Sequence, residues 1–386
     1  MKNPRKPART IIVYFVAALL VWMPVSISLQ RYPPKPTGPH AVGRLSRLWI
    51  DISRPEILTD DPDDYREIPV EIWYPAEAGN GEATPYFPDL DQLAQGLAAS
   101  GEVSPLEVFG LRFMKSHERY NASVSREADP CPIILFSPGN GTNVEFYAGI
   151  AEELASHGYI VIGINHPYDV AAVALQNGSV ARFIEGPLEM QVRREWVAGR
   201  IDVRTDDILF VLKKLKELTM SNDPILARHL DTSRVAVMGH SLGGIAAAEA
   251  CRANSLLQAC LNLDGLQIGG PFSASETPPQ VPLPNQPFMM ITKEAELHPA
   301  IISLFEALPS ESYRVVIDNA THENFTDGPV LIPSFLPIPD QSDQILALTR
   351  KYTLAFFDQT LRQAESPLLE ESFQDMQTRL EVYSPP

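Results

Sequence analysis

From residue 132 onward, short runs of unbroken apolar character alternate with longer stretches of helical periodicity. Pro132-Ile133-Ile134-Leu135-Phe136, Tyr159 to Ile164, Val235 to Met238, 260–264, 287–292 and 313–317 are the apolar runs. Runs without a polar face predict strands covered on both sides. Between them, 144–157 and 188–219 read as helices, the second with Ile208, Val211, Leu212, Leu215 and Leu218 on one face. A closing helix is predicted over 343–362, after Ser342 as a good N-cap. Strands alternating with helices imply a mostly parallel central sheet with helices on both faces, an α/β architecture. Upstream, Arg47 to Ile52 and Ile68 to Tyr74 flank the acidic turn Asp60-Asp61-Pro62-Asp63-Asp64 and predict an opening hairpin. Residues 85–129 break the pattern. Leu90, Leu93 and Leu97 recur at helical spacing, with Leu106, Phe109, Leu111 and Phe113 behind them. A helical insertion is expected there, packed onto the domain or lining an acyl-binding mouth.

The chain has 386 residues, 45% of them hydrophobic, enough for one large domain. Its formal charge of −17 lacks the basic footprint of a nucleic-acid binder. Lys2, Arg5, Lys6 and Arg9 precede the apolar run Ile11 to Val25, and Ser26-Ile27-Ser28 supplies small residues for cleavage. Residues 1–28 therefore read as a signal peptide or an N-terminal membrane anchor, and the rest as exported, periplasmic or secreted. The expected division continues with a Pro-rich linker over 29–44, the main domain over 45–365 and a C-terminal tail over 366–386. Cys131, Cys251 and Cys260 match no zinc pattern. Cys251 and Cys260 are either a disulfide in an oxidising compartment or two small buried hydrophobes.

The chemistry concentrates at Gly239-His240-Ser241-Leu242-Gly243-Gly244, between the apolar run ending at Met238 and the Ala-rich stretch from Ile245. A serine flanked by glycines at a strand-to-helix turn is a nucleophile elbow. It holds a hydroxyl at the positive end of a helix. Such a hydroxyl needs a base. In elbows of this kind the chain order is serine, acid, histidine. Of the histidines beyond the elbow, His322 follows the last core strand and His298 is its alternative. Asp264, at the end of the apolar run 259–263, and Glu294, at the end of the following strand, both qualify as the acid. Backbone amides of Leu242 and of the loop Ser137-Pro138-Gly139-Asn140-Gly141-Thr142, with Asn140 best placed, would form an oxyanion hole. This machinery calls for no metal and no cofactor.

These motifs resemble the plasma-type, calcium-independent platelet-activating-factor acetylhydrolases, a serine-esterase branch of the α/β-hydrolases with bacterial relatives. The similarity covers roughly 45–360. It rests on Phe136-Ser137-Pro138-Gly139-Asn140-Gly141 (with Pro138 where a histidine often stands), Leu154-Ala155-Ser156-His157-Gly158-Tyr159, the elbow Gly239 to Gly244, and His322 with Asn324, Phe325 and Asp327. The resemblance implies Asp264 rather than Glu294 as the acid. It also implies hydrolysis of short or oxidised sn-2 acyl groups of phospholipids, with a small-molecule or lipid ester as substrate and a membrane-surface or lipoprotein-like interface as a partner. A polyester or aryl esterase, a dienelactone-hydrolase-like enzyme and a peptidase are the other activities compatible with the same elbow.

Overall fold

The computed structural model describes residues 33–384 apart from 80, 101–107, 110, 113, 129, 224, 266–283, 294–298, 332–340 and 375–376. The predicted hairpin is present as β1 (Ala41–Pro55) and β2 (Tyr65–Ala76), paired antiparallel. The strand at 132–136 is β5 (Cys131–Ser137), and β6 (Ile160–Ile164), β9 (Leu230–His240), β10 (Leu257–Leu263), β11 (Phe288–Thr292) and β12 (Ser312–Ile317) follow it in chain order. These six lie side by side as β12-β11-β10-β9-β5-β6, every neighbouring pair parallel. The buried residues of β5 explain why its apolar run is unbroken. Ile134 and Phe136 face a core shared with the helix Ala148–Ser156 and the closing helix Ser342–Arg362. Ile133 and Leu135 face the opposite core, shared with the helices Met190–Thr219 and Leu242–Ala253. Both faces are thus covered by helices, and the architecture is that of the α/β-hydrolases.

The sheet extends beyond the predicted strands to twelve among the described residues, while β7 (Ala172–Ala174) and β8 (Val180–Arg182) pair with each other in a separate ribbon. At one edge lie β3 (Glu82–Pro85), which leads into the expected helical insertion, and β4 (Lys115–Tyr120), which comes from it. That segment is only partly helical: α1 (Leu90–Ser100) buries Leu90, Leu93 and Leu97, while β4 runs parallel to β1. Lys115-Ser116-His117-Glu118-Arg119-Tyr120 carries no apolar alternation, so its strand character comes from the sheet edge it meets. At the other edge, residues expected as a tail supply β13 (Phe373–Gln374) and β14 (Thr378–Tyr383), the latter antiparallel to β12. Thr378 and Leu380 are buried there. The end of the expected linker is also pinned: the Thr37 and Gly38 amides donate to Glu153 Oε2 and Ser156 Oγ, both at 3.0 Å. Cys251 and Cys260 form a disulfide joining the Leu242–Ala253 helix to β10, and Cys131 is a buried thiol outside that disulfide, donating to the Ala128 carbonyl at 3.3 Å.

Candidate active site

The predicted residues follow the carboxyl ends of four parallel strands: Asn140 after β5, Ser241 after β9, Asp264 after β10 and His322 after β12. β9 ends at His240 and the next helix begins at Leu242, leaving Ser241 alone in the turn with φ 54° and ψ −122°. A side chain on Gly239 would sit 2.2 Å from the Gly243 carbonyl oxygen, and one on Gly243 would sit 2.2 Å from that of Ser137. Glycine at both positions is therefore a steric requirement of a helix pressed against two strand ends. The Ser241 amide donates to the Leu263 carbonyl at 2.9 Å, which fixes the turn against the residue before Asp264. Leu242 opens the helix, so its amide belongs to the first turn, whose N–H groups lack intrahelical partners.

Asp264 follows β10 with its side chain buried. His322 Nδ1 lies 2.6 Å from Asp264 Oδ2, while Asp264 Oδ1 accepts from the Thr292 hydroxyl at 2.9 Å and the Lys293 amide at 3.4 Å. Burial alone would raise this carboxyl, but the His322 bond and charge, the Thr292 bond and the Lys293 bond outweigh it and hold it below the ordinary carboxylate range. An ionised carboxylate can only accept, so Nδ1 carries the imidazole proton and leaves Nε2 as the basic nitrogen. His322 starts a short turn, His322–Phe325. Asn324 shapes it: its Oδ1 accepts from the Thr321 amide at 2.8 Å and the Thr321 hydroxyl at 2.9 Å. Asp327 anchors the end of the loop, accepting from the Gly149 amide at 2.8 Å and from the Tyr86 hydroxyl. Burial pushes the Asp327 carboxyl up to about 6.

The loop after β5 carries Asn140. Arg204 grips it from below, donating to the Pro138 carbonyl at 2.6 Å, and the Gly141 amide donates to the Asp169 carbonyl at 2.8 Å. A cavity of about 550 Å³ opens beside this loop. Its wall includes Asn140, Gly141, Leu242 and Glu323, so it adjoins both proposed oxyanion amides and the chain neighbours of Ser241 and His322. Leu97, Phe183 and Trp196 supply apolar surface, and Arg182, Glu185, Arg193 and Arg200 supply charge. The alternative acid Glu294 and the alternative base His298 lie outside the described residues.

Two arrangements escaped the sequence reading. Ser137 Oγ lies 2.9 Å from His166 Nε2, whose Nδ1 lies 2.8 Å from Asp207 Oδ2. This is a second serine–histidine–aspartate chain, but all three side chains are fully buried and no substrate can reach the hydroxyl. Burial depresses His166 to about 4, and Asp207 is held ionised by Arg66. The trio braces the strand end that feeds the Asn140 loop. The second arrangement surrounds His240, whose buried ring stands 4.5 Å from that of His322. A histidine next to the elbow serine was visible in the sequence. Its partners, distant along the chain, were not.

Comparison with known proteins bears on the family and the fold. Residues 25–365 match the family described as platelet-activating factor acetylhydrolase, isoform II. A probable 1-alkyl-2-acetylglycerophosphocholine esterase of Arthroderma benhamiae is 28% identical over 243 residues, which are 60% of this chain and 58% of that protein's length. The platelet-activating factor acetylhydrolase of Cavia porcellus is 24% identical over 353 residues, 85% of this chain and 78% of that protein. Among solved structures, a ferulic acid esterase from Streptomyces cinnamoneus superposes with a TM-score of 0.70 at 24% identity, covering 89% of this chain and 97% of that one. That likeness speaks for the fold. With the family match spanning nearly all of the sheet and every residue of the site, the chain belongs to the platelet-activating factor acetylhydrolase isoform II family.

Proposed function

We propose that this chain is a serine ester hydrolase working through an acyl-enzyme, with Ser241 as nucleophile, His322 as base and Asp264 as the acid that orients it. The Ser241 hydroxyl attacks the ester carbonyl while His322 Nε2 takes its proton. The Leu242 and Asn140 amides receive the oxyanion. His322 then protonates the leaving alcohol, and in the second half-reaction it activates water against the acyl-serine. One observation carries the reading most: the Asp264–His322 contact at 2.6 Å, set where the elbow serine is pinned to the residue before Asp264. A carboxylate that fixes the imidazole tautomer in this way makes Nε2 the nitrogen that takes up a proton.

For the substrate we propose short or oxidised sn-2 acyl groups of phospholipids. The family and the names of the two relatives support this choice. Exposed Leu188 and Val192 lie within the 182–200 stretch, from which other residues line the cavity, and such side chains suit a lipid surface. Export through the segment 1–28 is part of the proposal. The Cys251–Cys260 disulfide fits an oxidising compartment. Among the described residues no helix is long and apolar enough to cross a membrane, and the run Ile11 to Val25 lies outside them. The test is an ester panel of increasing acyl length, including an sn-2 acetyl phospholipid, run on the wild type and on Ser241→Ala. Turnover should favour short acyl groups and vanish in the variant. Turnover retained by folded Ser241→Ala would refute the nucleophile, and a preference for long acyl chains would refute the substrate.

A further inference from the structure

His240 occupies an odd position. The elbow presents Ser241, yet the residue before it is driven into the protein, with 3% of its surface exposed. Its Nδ1 lies 2.8 Å from Tyr147 Oη, and its Nε2 lies 3.2 Å from the main-chain carbonyl of His322. The directions of these bonds follow from chemistry. A carbonyl only accepts, so Nε2 carries the proton. Burial, reinforced by the neighbouring His322, holds His240 down to about 3, so the ring is neutral at physiological pH. Nδ1 is then a bare acceptor and takes the Tyr147 hydroxyl proton. The Tyr147 oxygen in turn accepts from the Gly139 amide at 3.0 Å. One directed chain therefore runs from Gly139 through Tyr147 and His240 to the main chain of His322.

The two ends of that chain matter. Gly139 precedes Asn140, which donates to the oxyanion in the proposed mechanism, and His322 carries the base. We propose that His240 and Tyr147 form a positioning pair that sets the oxyanion loop and the base loop at one fixed spacing about the nucleophile's strand. This inference rests on the roles assigned above to Ser241, His322 and Asn140. The pair touches no substrate. It acts by holding an amide and an imidazole that must each meet the reacting atoms within a few tenths of an ångström. A second tie keeps the two loops docked without the pair: the Asp327 amide donates to the Phe146 carbonyl at 2.6 Å, and the Gly149 amide donates to Asp327 at 2.8 Å. Loss of the pair should loosen the geometry and leave the fold standing.

The decisive variant is Tyr147→Phe, which keeps the ring and removes both hydrogen bonds. A displacement on the order of 1 Å at a reacting group costs about a hundredfold in rate. For p-nitrophenyl acetate, kcat should fall roughly 10- to 100-fold while KM stays within about twofold, because the cavity wall is unchanged. Tyr159→Phe is the control. It removes another tyrosine hydroxyl, one bonded to Asp358 at 2.7 Å on the far helix. It should lower thermal stability and leave kcat alone. If Tyr147→Phe does not fold, His240→Asn carries the test, since its Oδ1 replaces Nδ1 as the acceptor but nothing donates to His322. His240→Gln, which restores a donor near the Nε2 position, should recover part of the loss. A kcat within twofold of wild type in the folded Tyr147 variant, or an equal loss in Tyr159→Phe, would overturn the proposal. Ser241→Ala and His322→Ala are measured alongside. Turnover surviving in either refutes the site itself, a result distinguishable from failure of the positioning pair alone.

Discussion

Asp264→Asn is the sharpest perturbation of the site, because its neighbours dictate how the amide must turn. One side-chain oxygen of Asp264 faces two donors, the Thr292 hydroxyl at 2.9 Å and the Lys293 amide at 3.4 Å. In the variant, the asparagine oxygen must stay on that side and its NH2 group must face His322 Nδ1. Two N–H groups cannot point at each other, so the imidazole shifts its proton to Nε2. The nitrogen that should take the serine proton then has no lone pair to offer. Geometry and volume are otherwise conserved, so folding should survive. Loss of the correct tautomer in a site of this type costs about 10⁴ in kcat, or roughly 5.5 kcal/mol of barrier. The assay is steady-state turnover of p-nitrophenyl acetate, with circular dichroism to show the fold and Ser241→Ala as the background rate. Glu294→Gln, measured in parallel, should stay within a few-fold of wild type. Retention of more than a tenth of kcat by Asp264→Asn would refute the reasoning, as would the large loss appearing in Glu294→Gln instead.

Other consequences are open to measurement. Ser241 sits at φ 54°, a conformation that costs a side-chain-bearing residue on the order of 1–3 kcal/mol. Ser241→Gly should therefore be inactive yet raise thermal stability by about 1 kcal/mol after the entropy of the added glycine is subtracted. An unchanged or lowered melting temperature would argue against strain at the elbow. His166 is depressed to about 4 from an ordinary value of 6.5. Below pH 6.5 the unfolded chain therefore takes up a proton that the folded protein refuses until about 4, and stability is lost as pH falls through that window. Asp327, raised to about 6, and Glu145, raised to about 7, work in the opposite sense, so the difference between variants is what isolates His166. Urea unfolding should show the wild type losing about 1.5 kcal/mol relative to His166→Gln between pH 6.5 and 5, and a gap independent of pH would contradict this. Thiol titration of the unfolded, unreduced protein should find one reactive cysteine, Cys131, and three after reduction.

The parts of this molecule that could be read from the chain are those whose causes are local. Gly239 and Gly243 announce the elbow because the turn itself excludes side chains. The buried strands declare themselves because a strand covered on both faces has no polar side to display, as with Ile133 to Phe136. Asp264 needed more. Spacing alone left Glu294 in contention, and family likeness was required to choose between them. What remained hidden depends on contacts between distant residues. Tyr147 and His240 are 93 positions apart, and Ser137 and His166 are 29 apart, with nothing in either segment to name the other. Lys115 to Tyr120 becomes a strand only because β1 offers an edge, a fact that resides in β1 and not in its own residues. The strand at Thr378–Tyr383 likewise exists because β12 would otherwise expose unpaired main-chain groups.

The central claim is that Ser241 becomes covalently acylated with help from His322. Intact-mass and peptide mass spectrometry after rapid acid quench with p-nitrophenyl acetate tests it directly. The account predicts one acetyl group on the peptide containing Ser241 in the wild type and none in Ser241→Ala or His322→Ala. An acetyl group on another residue during turnover, or undiminished turnover in the Ser241 variant, would contradict it.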